Sequence, residues 1–272
     1  MPLTFPAHQA AVLPLKLWRP QWFDATALCG GAAAPDLAYP LGWWLNRQSH
    51  TAVGVAVWAI PFTLLVCGIL RRRAAAGVFA HLPDAGPLRL RSYRVLDRRR
   101  PLLLITLVSA FIGATSHVLV DGFTHERRWG ARWLGLEAVI GELPVRGELS
   151  VARALQYAGH VGGSLVAVAL FVHVGRRRLL ERWYGTDTVS ARRAVVVSPA
   201  FRVAFWAVAL APPLAVGAWA SAGRDYGMFA TMLAGVVGLL AAGTLPLYRE
   251  GTMPGRPTPL TRRARDLPRR SW

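Results

Sequence analysis

Residues 101–125 read PLLLITLVSAFIGATSHVLVDGFTH. The first 20 of them contain no Lys, Arg, Asp or Glu, and at about 1.5 Å per residue they cover the roughly 30 Å hydrocarbon core of a bilayer. The same stretch closes on a string of His, Asp and His. Such groups are costly at membrane depth unless they are paired, buried in protein or bound to a metal. One segment therefore carries both the fold class and the candidate chemistry.

Working outward, residues 51–70, 203–222 and 226–248 are also uncharged apolar runs long enough to span, while 158–174 is shorter. The expected fold is all-α, a polytopic helical membrane protein with about five transmembrane helices over residues 51–248. Residues 1–50 precede it as an N-terminal segment that contributes site residues. They have no basic start and no small-residue cleavage site, so they do not read as a removable signal peptide. Within them 25–37 is apolar but too short to span, and reads as an interfacial or re-entrant helical piece. Residues 249–272, rich in Arg and Pro, read as a disordered basic cytoplasmic tail. Pro61 and the pair Pro212-Pro213 are expected to kink their helices. Gly159 and Gly163 form either a close-packing face or an inconsequential lipid-facing one.

The composition agrees with a membrane origin and raises a question of charge. Of 272 residues 53% are hydrophobic, with 26 Gly besides, against about 45–50% for both together in soluble domains. Yet the chain holds 32 basic and 14 acidic residues, a net charge of +18. All but Lys16 of the basic residues are Arg, in part a mark of a GC-rich coding sequence. Nine fall in 71–100, seven in 175–202 and seven in 249–272; the alternate segments hold nine together. By the positive-inside rule the richer set is cytoplasmic, which gives an N-out, C-in topology. With the acids counted, the two sides carry +17 and +1. Trp18, Trp22, Trp43, Trp44, Trp129, Trp133 and Trp219 are then expected near the outer boundary. Cys29 falls outside and Cys67 near the inner end of the first helix, so no disulfide joins them. The basic runs at 71–73, 98–100 and 176–178 abut helix ends, where anionic lipids suffice as counterions. No nucleic-acid partner is expected, and no protein partner is identifiable; the partners are membrane lipids.

Five of the seven His map to that outer boundary: His8, His50, His117, His125 and His160. His117, Asp121 and His125 are spaced i, i+4, i+8, on one helical face if the helix continues past Gly122. Asp36, in the string AAAPDLAYP, is a second carboxylate in an apolar setting. His81 and His173 fall on the other side. His and Asp with a water oxygen suit zinc, or manganese and iron where carboxylates dominate, so the cofactor expected is a divalent metal, zinc first. Glu126, Glu137, Glu142 and Glu148 read as a solvated face from which no general base stands out. Arg127, Arg128 and Arg132 are phosphate contacts or ordinary surface ion pairs.

The opening MPLTFPAH with AVLPL, then APDL, the SH at 49–50, SHVLVDGFTH and QYAGHVGGS together resemble a bacterial membrane-protein family filed as domain of unknown function 4184. That family in turn resembles inner-membrane metal-dependent hydrolases and, more remotely, helical zinc phospholipase C enzymes. The resemblance implies a metal role for His8, Asp36, His50, His117, Asp121 and His160, and a place in the bacterial plasma (inner) membrane. The expected function is a membrane-embedded hydrolase of an ester or phosphoester, lipid-like, at the extracytoplasmic boundary. Its rivals are a transporter or ion pathway and a non-catalytic membrane protein. A carrier's site belongs at the bilayer midplane, whereas these groups gather at one boundary.

Overall fold

The computed structural model describes residues 6–84, 86–97, 101–144, 147–221 and 226–250. The basic run at 98–100, Arg224 and the tail from Pro254 lie outside them. Helices dominate. In chain order they are α1 (Gln9–Trp18), α2 (Ala25–Leu37), α3 (Trp43–Gln48), α4 (Ala52–His81), α5 (Leu103–Thr124), α6 (Trp129–Trp133), α7 (Val151–Arg176), α8 (Leu179–Tyr184), α9 (Thr186–Arg193), α10 (Pro199–Ala220) and α11 (Gly227–Gly243). Two 3-10 helices, Gly86–Leu88 and Leu90–Leu96, follow α4, and there are two small antiparallel pairs: β1 (Val139–Leu143) with β2 (Gly147–Ser150), and β3 (Val195–Val196) with β4 (Arg249–Glu250).

Among the described residues four helices, α4, α5, α7 and α10, are long and apolar enough to cross a membrane. The short run at 158–174 is extended at both ends into the 26 residues of α7, whose first turn is capped by Ser150 Oγ accepting from Arg153 N–H. Conversely, the run at 226–248 yields only the 17-residue apolar α11. Most of the apolar surface faces outward. Val203 is 71% exposed, Leu214 67% and Leu165 67%, an extent that calls for lipid rather than water.

Pro61 does not break α4. The turn just before it, Val55–Ala59, is a π-helix in which Ile60 N–H reaches back to Val55 O, and the widened turn makes room for a ring that lacks a donor. Pro212 and Pro213 likewise lie inside α10.

Of the interfacial and re-entrant readings of residues 25–37, the packing agrees with the re-entrant one. Asp24 caps α2, accepting from Thr26 N–H and Ala27 N–H, and α1 and α2 form a helical hairpin buried among the longer helices. Its small residues allow this. A Cβ on Gly31 would lie 2.3 Å from Ala110 O, and one on Gly113 would lie 2.3 Å from Leu28 O, so α2 and α5 cross almost backbone to backbone. The pair Gly159 and Gly163 splits: a Cβ on Gly163 would lie 3.0 Å from Ala7 O, while one on Gly159 would have nothing within 4 Å. Gly31→Ala or Gly113→Ala should therefore lower stability by about 1–3 kcal/mol through forced separation of the two helices. Gly159→Ala should be neutral or stabilising by up to about 1 kcal/mol. Thermal unfolding of the detergent-solubilised protein checks both.

The hairpin also carries several residues across the bundle. Its turn lies beside Arg71, at the opposite end from His117, so Lys16, Asp24 and Cys29 line one cavity with Arg71, and Gln21 and Phe23 join them. The expectation that Trp18, Trp22 and Cys29 share one boundary with the His cluster is corrected accordingly: α1 runs from His8 toward the Arg71 end of the bundle, and its far end and the turn go with it. Cys29 and Cys67 are both free thiols. At this end Asp24 accepts from Arg71 Nη2 at 2.5 Å and from Thr106 Oγ1 at 2.9 Å, and Ser109 Oγ accepts from Asp24 N–H at 2.9 Å. Lys16, the sole lysine, donates to Pro20 O and Phe23 O and lies over the Trp183 ring.

Candidate metal centre

Four side chains meet at the other end of the bundle. Asp36 is the penultimate residue of α2, His50 lies between α3 and α4, and His117 and Asp121 project from the last two turns of α5. All four are buried, His117 completely. One atom from each lies within 4.8 Å of every other. His50 Nε2 is 3.4 Å from Asp36 Oδ1, 3.2 Å from Asp121 Oδ2 and 3.2 Å from His117 Nε2. His117 Nε2 is 3.4 Å from both Asp36 Oδ1 and Asp121 Oδ2.

The protons on the two imidazoles are assigned by their other nitrogens. His117 Nδ1–H donates to Ala32 O at 2.7 Å. The Ser49 hydroxyl gives its proton to Asn46 O at 2.9 Å, which leaves Ser49 Oγ to accept from His50 Nδ1–H at 2.8 Å. Both Nε2 atoms are then bare lone pairs pointed at each other and at two carboxylates. Four buried acceptors cannot face one another without a positive charge among them. A proton on one imidazole serves in part; a divalent cation serves all four.

The spacing fits a metal ion. A tetrahedral ion with ligands at about 2.0–2.1 Å sets those ligands about 3.3–3.4 Å apart, and the five separations above run from 3.2 to 3.4 Å. Two imidazoles and two carboxylates are a donor set that zinc accepts. The cluster of Asp36, His50, His117 and Asp121 can thus hold a metal ion. Because hydrogen bonds to the outer nitrogens orient such ligands, Ser49→Ala should weaken metal binding by about 10–100-fold with the fold intact. Competition against a chromophoric chelator measures this.

Three further His surround the quartet. His8, at the head of α1, stacks on His117 with ring centroids 3.9 Å apart, and its Nε2 is 3.4 Å from Asp121 Oδ1. Burial is the largest influence on the His8 ring and pushes its pKa down to about 3. His160, in the upper part of α7, lies edge-on to His8 with centroids 6.4 Å apart. The α5 helix does continue past Gly122, ending at Thr124, and His125 as its C-cap stands with Nδ1 3.5 Å from Asp121 Oδ1. His81 is remote, its Nδ1 held by Gly77 O at 2.9 Å.

Of the acids near this end of the bundle, Glu126 is tied up structurally. The Ser150 hydroxyl, then Arg153, hold its carboxyl below the usual range, with contacts of 2.6 Å each. Glu137 accepts from Arg127 N–H at 2.7 Å and lies 3.8 Å from Arg132. Three contributors have no signature of their own in the sequence: the Ala32 carbonyl, Gln156, whose amide lies 2.6 Å from His125 Nε2, and Tyr39, whose hydroxyl lies 3.3 Å from His50 Nδ1. Ser49 is visible only as the first letter of the SH pair.

Fold and site together define an all-helical protein with membrane-length apolar helices and a buried His and Asp cluster suited to a metal ion. The chain belongs to the family described as domain of unknown function (DUF4184), whose family model matches residues 1–247. Neither a curated protein nor a solved structure matches it.

Proposed function

We propose that this protein is a metal-dependent hydrolase of the bacterial inner membrane, acting on an ester or phosphoester of a lipid at the extracytoplasmic boundary. The observation that carries the reading is the quartet of bare acceptors at metal-ligand spacing, Asp36, His50, His117 and Asp121. A divalent ion held there is a Lewis acid that activates water and polarises an ester oxygen. The residues around it suit a lipid. An apolar groove of about 690 Å³, lined by Trp43, Pro212, Trp219, Tyr226 and Val237, runs up to Tyr39, whose hydroxyl touches His50. Tyr39 therefore stands between an acyl-sized groove and a metal ligand. Arg127 and Arg128, between α5 and α6, and Arg132, in α6, offer cations just beyond Asp121 and His125 in the chain, suited to an anionic headgroup. The segregation of Arg supports the orientation, and with the hairpin turn beside Arg71, Lys16 and Arg19 join the basic side as well.

The test is elemental analysis of the detergent-purified chain beside His117→Ala and Asp121→Ala, followed by product release from phospholipid vesicles. Bound zinc lost in both variants, with vesicle lipid hydrolysed by the wild type alone, is the expected result. Wild-type protein without metal overturns the reading, and metal without hydrolysis of any vesicle ester overturns its catalytic half.

A further inference from the structure

We propose that the cavity at the Arg71 end of the bundle binds one anionic phospholipid, its phosphate at Arg71 Nε and an acyl chain along the apolar wall. This site lies at the opposite end from the metal centre and does not depend on it.

The cavity measures about 660 Å³, within the roughly 300–1,000 Å³ of small-molecule sites. Three of the membrane-length helices line it. Leu70, Arg71 and Phe79 come from the second half of α4, Ile105 from the first turn of α5, and Phe171 and Val174 from the last two turns of α7. The hairpin turn and α8 close the remaining sides, with Phe23 on the turn and Trp183 on α8. The cavity therefore sits near one end of the apolar helices, the depth of a headgroup rather than of the bilayer centre. Its surroundings are open to lipid. Leu102, Leu103 and Leu104 fall in sequence between Pro101 and Ile105, which line the cavity, and are between 67% and 73% exposed, an apolar surface that calls for lipid.

The charge of the lining is unbalanced. Lys16, Arg71 and Arg182 stand against one carboxylate, Asp24. That carboxylate already accepts from the N–H groups of Thr26 and Ala27, from the Thr106 hydroxyl and from Arg71 Nη2. Arg71 is only 8% exposed, and its Nε is a buried donor without a hydrogen-bond partner. An unsatisfied buried donor is costly, and a guanidinium pairs with phosphate oxygens through charge-assisted bonds. Lys16 donates to Pro20 O and Phe23 O, which fixes its charge on the same wall. A neutral lipid would leave the charge and the donor unmet, and a soluble anion would leave the apolar wall unmet. One molecule with both a phosphate and a hydrocarbon chain meets both.

The neighbouring chain supplies further attraction. Arg72 and Arg73 on α4, and Arg176, Arg177 and Arg178 at the end of α7, are exposed, and such clusters beside membrane helices gather anionic headgroups. A lipid seated in the cavity touches the hairpin turn, α5, α7 and α8 at once. Binding only to the folded chain, it should raise the unfolding temperature.

Native mass spectrometry of the delipidated full chain in nonionic detergent decides it, with phosphatidylglycerol, phosphatidylcholine and inorganic phosphate offered separately. One phosphatidylglycerol per chain is expected, held at least tenfold more tightly than phosphatidylcholine, with inorganic phosphate not retained. Arg182→Gln, at an exposed position, should weaken it about fivefold, the share of one basic residue near a lipid surface. Ala25→Phe, which sets a ring into the cavity from the half-buried first residue of α2, should abolish it. Added phosphatidylglycerol should raise the unfolding temperature of the wild type and not that of Ala25→Phe. The surface variant keeps the test decisive should the ring disturb the fold. No phosphatidylglycerol on the wild type, equal retention of phosphatidylcholine, or unchanged affinity in either variant overturns the proposal. Retention of inorganic phosphate alone overturns it as well, leaving an anion site without a lipid.

Discussion

His117→Ala is expected to abolish metal binding at the quartet. The side chain is completely buried, shares edges with three other ligands and is held by Ala32 O. Loss of an orienting partner alone costs about 10–100-fold, so loss of the ligand itself should exceed 100-fold in chelator competition. A linked effect on stability follows. A metal that binds only the folded chain adds about 4 kcal/mol when its free concentration is 1,000 times Kd. Chelator should therefore lower the unfolding temperature of the wild type and leave that of His117→Ala unmoved; equal shifts in both would place the metal elsewhere.

Asp24→Ala should be the most destabilising single change at the other end, by about 3–5 kcal/mol, because Arg71 is left as a buried charge without its partner. The same substitution removes the cap of α2 and the acceptor for Thr106. An apolar replacement of the pair should recover most of the loss, since a buried ion pair is often matched by well-packed apolar residues. Unfolding of Asp24→Ala, Arg71→Met and the double variant forms a cycle. Strict additivity of the two single losses would show that the pair is not coupled.

Much of the fold was legible because lipid imposes a simple rule: backbone polar groups must be satisfied within the segment, so long apolar runs are helices. Residues 101–124 followed it closely. Helix ends were less legible, since α7 begins before its apolar run and α11 stops short of its own. The hairpin was the largest difference. Ala25–Leu37 is too short to span alone, and nothing local says that Gly31 will meet Ala110 or that Asp24 will find Arg71; both depend on contacts remote in sequence. At the site, the i, i+4 spacing of His117 and Asp121 was readable because both lie on one helix. The partition of Asp121 between His50 and His8 was not, because those residues arrive on separate elements. The place of Lys16 was not legible either: it is buried and donates to Pro20 O and Phe23 O, contacts that the turn of the hairpin creates.

The hairpin between His8 and Asp36 has a consequence for biosynthesis. Its second helix, about 20 Å long at 13 residues, has Asp24 at one end and Asp36 near the other, and their partners Arg71, Thr106, His50 and His117 are all translated later. Until α4 has emerged Asp24 lacks Arg71, and until α5 has emerged each carboxylate still lacks one partner, Thr106 for Asp24 and His117 for Asp36. The first 50 residues are thus expected to wait outside the bilayer and slot in only once the longer helices are seated, making the N-terminus the last part to be installed. Pulse-labelled protease protection should show residues near Asp24 accessible in nascent chains truncated before residue 103 and shielded in the full chain.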